Sequence, residues 1–113
     1  MRLPKTRKTR GKTGGPRALT PQQATRRFKV GLVTEFRLTR HIKEQMVKPD
    51  RDFDMGDVRH VARLGTVRRP GEYDIRYGTY SYCMEGHDVG GSALNIIFVV
   101  GRDHVKLITG VRP

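Results

Sequence analysis

Apolar residues in this chain follow two periods, and the change falls at Gly65. Upstream, Ile42 and Met46 lie four apart and share one helical face. They predict a helix from Leu38 to Val47, with Thr39 as N-cap and Pro49 as the stop. A second stripe of Met55, Val58, Val61 and Ala62 predicts a helix opened by Asp54 and closed by Gly65. Asp57 sits in its first turn, where a carboxylate meets the positive end of the helix dipole. Two polar pairs flank these stripes at the same spacing: His41 with Gln45, and Arg59 with Arg63.

Downstream the period falls to two. Thr66 to Arg68 reads as a short strand and Pro70-Gly71 as a turn. Tyr73 to Tyr77 alternates weakly. Tyr80, Tyr82 and Met84 alternate with Ser81 and Cys83, which predicts a half-buried strand. Glu85 to Ser92 holds Gly86, Gly90 and Gly91 and reads as a loop. Ala93 to Val100 is apolar on both faces, the mark of a central strand. Gly101-Arg102-Asp103 turns the chain into a last strand, His104 to Val111. The expected fold class is α+β: two N-terminal helices packed on one face of a twisted antiparallel sheet of about four strands. Ile42, Met46, Val58, Val61 and Ala62 are expected to face Leu94, Ile96, Phe98 and Val105.

Charge adds a segment to this picture. The 113 residues carry a net charge of +12, unevenly spread. Residues 1–30 hold ten Lys or Arg and no acid, whereas residues 31–113 hold thirteen bases and eleven acids. Apolar content shifts at the same place, from 7 of 30 to 33 of 83. The expectation is a disordered basic arm over 1–30, preceding a small α+β domain over 31–113. Thr20 and Pro21 supply an N-cap and a first helical residue, enough for a short helix near the end of the arm. Lys5, Arg7, Lys8, Arg10, Lys12, Arg17, Arg26, Arg27 and Lys29 form a block suited to phosphates, with Arg59 and Arg63 as further candidates. Such an arginine pair is more often a solvated helix face than a phosphate clamp.

Several chemistries are set aside. The longest apolar run, Ile96 to Val100, is far short of the roughly 20 residues of a membrane helix. No membrane partner is expected, and a cytoplasmic location is. Cys83 is alone, which excludes an internal disulfide. The four histidines lack ligand spacing, and no phosphate-binding glycine motif is present, so neither a metal nor a cofactor is expected. His41 has two readings: a proton exchanger near neutral pH, or a ring that bonds a backbone carbonyl and orients its helix. Tyr80 and Tyr82 either stack bases or fill the core.

Residues 36–113 resemble a known family. FRLTRHIKEQM, RDFDMGDVRHVARLG and LNIIFVVGRDHVKLITGVRP are similar to segments of the bacterial domain-of-unknown-function family 4258. That family resembles the RelE/ParE toxins and the wider barnase, colicin and RelE-like nuclease fold. On this resemblance a short strand precedes helix one, which His41 opens. Arg51, Asp57, Val58, Gly65 and Thr109 fall on the family pattern. Gln45 stands where the family often has arginine, and Lys48-Pro49-Asp50 looks like a two-residue insertion.

The resemblance implies RNA binding with metal-independent endoribonuclease activity, and an antitoxin protein as partner. Such chemistry needs a base for the 2′-OH proton, an acid for the leaving 5′-oxygen and cations for the charged phosphorane. His41 is the expected base or acid. Arg51 and Arg76 are expected to hold the phosphate, and Thr109 or Tyr82 to orient it. Two alternatives stand beside it. One is a non-catalytic nucleic-acid-binding protein using its basic arm, RNA more readily than DNA. The other is a protein-interaction module.

Overall fold

The computed structural model describes residues 17–113. Among them, three helices and six strands follow one another. They are α1 (Pro21–Val33), β1 (Phe36–Leu38), α2 (Arg40–Val47), α3 (Met55–Leu64), β2 (Thr66–Val67), β3 (Glu72–Asp74), β4 (Thr79–His87), β5 (Ala93–Val100) and β6 (Val105–Val111). The strands form one sheet in the order β1-β6-β5-β4-β2, and β3 pairs with β4 as well.

The α+β class holds, with one more helix and more strands than expected. The sheet is mixed rather than antiparallel. β1 runs parallel to β6, with Phe36 opposite Val105 and Leu38 opposite Leu107. The predicted loop after Met84 starts late, because β4 continues to His87 and pairs with β5 as far as Ala93. Periodicity alone gives β1 no signal, since three residues are too few to show alternation.

The largest correction concerns residues 21–30, taken as the end of a disordered arm. They belong to α1. Thr20 caps it with a reciprocal box: its side chain accepts from the Gln23 N–H, and Gln23 accepts from the Thr20 N–H. Ala24, Phe28, Gly31 and Leu32 are buried, and the Phe28 ring lies 4.6 Å from that of Phe98. A Cβ at Gly31 would run into the Val105 side chain, so α1 lies close against β6 there. The described part of the domain therefore includes α1. The calls on Lys5, Arg7, Lys8, Arg10 and Lys12 lie outside the described residues.

α3 follows its predicted bounds; α2 ends at Val47 as expected but begins at Arg40, because Leu38 closes β1 and Thr39 is the cap. Thr39 caps α2, and Asp54 and Asp57 form a capping box on α3. Ile42, Val58, Val61 and Ala62 are buried with Leu94, Ile96, Phe98 and Val105, and Met46 packs against that cluster. Directly opposed strand residues share a face. Tyr82–Phe98 and Met84–Ile96 thus lie under the helices, while Ser81–Val99, Cys83–Ile97 and Glu85–Asn95 lie on the other side. No helix among the described residues is long and apolar enough to cross a membrane.

Candidate nucleic-acid interface

The first helix of the predicted site is pinned to the last strand. The Thr39 N–H donates to the Leu107 carbonyl at 3.0 Å, and its hydroxyl donates to the Ile108 carbonyl at 2.7 Å. This holds the start of α2, and with it His41, at the open end of β6. One turn on, Gln45 completes what β1 leaves unpaired. Its Nε2 donates to the Gly110 carbonyl and its Oε1 accepts the Gly110 N–H, both at 3.0 Å. Thr109 donates its hydroxyl to the same Oε1 at 3.2 Å. A side-chain amide thus extends the ladder past the end of β1. The Phe53 ring covers Gly110, where a Cβ would collide with it. Replacing Gln45 by Ala leaves the Gly110 edge without its partners. A loss of about 1–3 kcal/mol is expected, read as a lower urea midpoint at unchanged slope.

His41 is exposed and makes no side-chain hydrogen bond among the described residues. The backbone-bonding reading of this histidine finds no support in that geometry. Four residues apart on α2, His41 and Gln45 are neighbours, about 5–6 Å between Cβ atoms. Arg51 is exposed in the loop from α2 to α3, just before Phe53. His41, Arg51 and Thr109 are thus carried by elements that meet at one corner of the sheet.

Tyr82 and Arg76 are not part of that corner. Tyr82 is buried on the helix-covered face, and its hydroxyl accepts the Leu19 N–H at 2.8 Å. It serves the core and the approach to α1. Arg76 lies in the β3–β4 turn and grips Asp74 with two bonds, Nε to Oδ1 at 3.1 Å and Nη2 to Oδ2 at 2.9 Å. Those bonds hold the Asp74 carboxyl below its ordinary value of 3.8.

Lys29 of α1 and Arg59 and Arg63 of α3 share one groove, while Arg27 turns the other way, to the Gly101–Arg102 turn. Arg26, Arg27 and Lys29 lie on α1, Arg59 and Arg63 on α3, and none of the five has a carboxylate partner among the described residues. Three also hold backbone. Arg27 donates to the Gly101 carbonyl at 2.8 Å, Lys29 to the Arg63 carbonyl at 3.1 Å, and Arg59 to the Leu32 carbonyl at 3.4 Å. The last two meet the negative ends of α3 and α1, which favours cations there. Between the helices lies a groove of about 340 Å³ with Leu32, Val33 and Ala62 between Lys29, Arg59 and Arg63. Sequence alone sees Arg59 and Arg63 as a pair; it cannot show that α1 brings Lys29 beside them.

A second cationic group was not anticipated. Arg37 and Lys106 are opposed on β1 and β6. Lys106 Nζ lies 5.7 Å from the centre of the Tyr77 ring, and the Arg76 guanidinium 5.6 Å from it. Cations at such distances are attracted to the ring face. Tyr77 reads in the sequence as the end of a weak strand; it is in fact a turn residue beside the uncovered face.

Among the described residues, no group of three His, Cys, Asp or Glu could hold a metal ion. Burial, and then the neighbouring Glu85 charge, push the Cys83 thiol above its ordinary value of 9.0, which disfavours the thiolate. No protein-family model, no curated protein and no solved structure matches the chain.

Proposed function

We propose that this protein binds RNA through the basic face of α1 and α3, continued by the basic residues that precede Arg17. The observation that carries this reading is the group of Lys29, Arg59 and Arg63 around one groove between two helices, with no carboxylate partner for any of them among the described residues, and Arg26 and Arg27 elsewhere on α1. Each unpaired cation in such a set can replace a counterion at a phosphate, and the entropy of the released ions drives binding. Tyr77, with Arg76 and Lys106 against its ring, offers an aromatic surface of the kind that stacks unpaired bases. That favours single-stranded RNA over a duplex. Salt titration of affinity tests the reading.

A second reading, RNA cleavage without a metal, is favoured by the exposed His41 beside Gln45 and Thr109. It agrees with the resemblance to the family 4258 and RelE-like proteins, which also suggests an antitoxin protein as partner. In this scheme His41 takes or returns a proton, Arg51 neutralises the phosphorane and the Thr109 hydroxyl orients the phosphate. Replacing His41 by Gln is expected to lower the cleavage rate about 10²–10⁴-fold in excess chelator. RNA affinity and melting temperature should stay near those of the parent, because His41 holds no backbone group. An unchanged rate in the variant removes His41 from the chemistry, and absence of any cleavage by the parent leaves binding alone.

A further inference from the structure

A cavity of about 260 Å³ opens where the chain enters α1, lined by Arg17, Leu19, Arg27, Tyr82, Val100 and Arg102 among others. Its three arginines come from three separate stretches of chain, and two contacts bring them together. The Tyr82 hydroxyl accepts the Leu19 N–H at 2.8 Å, which ties down the segment that carries Arg17. The proton of that buried hydroxyl finds no acceptor among the described residues. Arg27 Nη2 donates to the Gly101 and Arg102 carbonyls, at 2.8 and 3.4 Å, which ties α1 to the turn that carries Arg102. Those bonds leave Nε and Nη1 of Arg27 without a hydrogen-bond partner among the described residues. None of the three arginines has a carboxylate partner among them, and no Asp or Glu of the described residues lines the cavity. Asp103, the acid next to Arg102, is engaged by His104 Nδ1 at 3.2 Å.

The chemistry of the walls selects a ligand. Three guanidinium groups at one cavity repel one another, and an anion of matching charge removes that cost. A phosphodiester within an RNA strand brings one negative charge, and two of its oxygens belong to the chain. A terminal phosphate monoester brings about −1.5 to −2 near pH 7 and three free acceptor oxygens. Guanidinium groups meet such oxygens with paired, parallel N–H donors. The first turn of α1 holds no acid, so the positive end of its dipole adds to the arginines. The volume falls just below the roughly 300–1,000 Å³ of sites for drug-sized ligands, which suits the end of a strand better than a whole nucleotide.

We propose that this cavity binds the terminal phosphate monoester of an RNA strand, held by Arg17, Arg27 and Arg102. The inference rests on the RNA-binding reading and adds where the strand ends. It is tested with the full chain and three oligouridine dodecamers: one with a 5′-phosphate, one with a 3′-phosphate and one with hydroxyls at both ends. A phosphorylated dodecamer is expected to bind about tenfold more tightly than the unphosphorylated one. That is the lower end of what a hydrogen bond to a charged group is worth, because Arg17 and Arg102 are exposed to screening salt. The end that gains more is the end the cavity takes. R17A and R102A are each expected to remove most of the gain while melting like the parent. Arg63 lies outside the cavity, so R63A is expected to weaken all three dodecamers alike and to keep the gain. Equal binding of all three by the parent overturns the phosphate site and leaves RNA binding standing. A gain that survives in R17A and R102A, or that R63A removes as fully, overturns it too, because the added charge then acts on the basic surface at large. Failure of every dodecamer to bind at low salt overturns the RNA reading itself.

Discussion

A chain beginning at Arg17 is expected to melt within a few degrees of the full chain, and a chain beginning at Gly31 is expected not to fold. The first deletion removes only two apolar side chains, Met1 and Leu3. The second removes Ala24 and Phe28, both fully buried, and with them ten of the thirteen residues of α1. Truncating one buried Phe to Ala usually costs about 3–5 kcal/mol. Domains of this size hold only about 5–15 kcal/mol in total. Phe28→Ala should therefore remove a large share of the stability on its own, and loss of the whole helix should remove the rest. Circular dichroism and urea unfolding of the three chains decide the matter. A folded chain starting at Gly31 would mean that α1 is dispensable and the compositional boundary the true one.

The second expectation concerns salt. If six phosphates are engaged, log K against log salt should fall with a slope of roughly −4 to −5, so affinity drops about 250- to 1,000-fold between 50 and 200 mM. Residues 1–16 hold six of the 23 basic residues. The chain beginning at Arg17 keeps α1 and α3 and should keep a slope of about −2 to −3, from three or four contacts. Converting Arg59 and Arg63 to Glu in that shorter chain should bring the slope close to zero. Melting of the same variants separates lost binding from lost fold, since Arg59 also holds the Leu32 carbonyl. Tight binding that ignores salt would show that phosphates are not the target.

The sequence makes α2, α3 and the long strands legible for a local reason. Their caps, Thr39 and Asp54, precede their stripes directly, and β5 is apolar at almost every position. α1 is half hidden because its stripe of Ala24, Phe28 and Leu32 crosses the place where composition changes. Averaging over residues 1–30 dilutes two core residues, Ala24 and Phe28, among ten cations and leaves Leu32 on the other side of the boundary. The site is less legible than the fold. Tyr82 is a tyrosine on the covered face, and alternation cannot say which of the two faces the helices cover. Arg17 and Arg102 lie near opposite ends of the chain, and only the contacts of Leu19 and Arg27 set them at one cavity. The partnership of Lys106 with Tyr77 likewise depends on a turn folding over a distant strand.

The parallel pairing of β1 with β6 has a consequence for how the protein is made. Phe36 meets Val105, nearly seventy residues later, and Gln45 finds its partners at Gly110. Closing such distant pairs comes late and slows folding, because chain entropy is lost before the contacts reward it. A ribosome adds about 5–20 residues each second, so several seconds separate the synthesis of β1 from that of β6. During that interval α1 and β1 exist without the strand that α1 packs on at Val105 and that β1 pairs with. The basic segment and both halves of the α1–α3 groove are then already outside the finished fold, free to meet RNA or a holding chaperone first. A nascent chain halted before Val105 should stay protease-sensitive throughout, and one released after Val111 should become resistant in a single step.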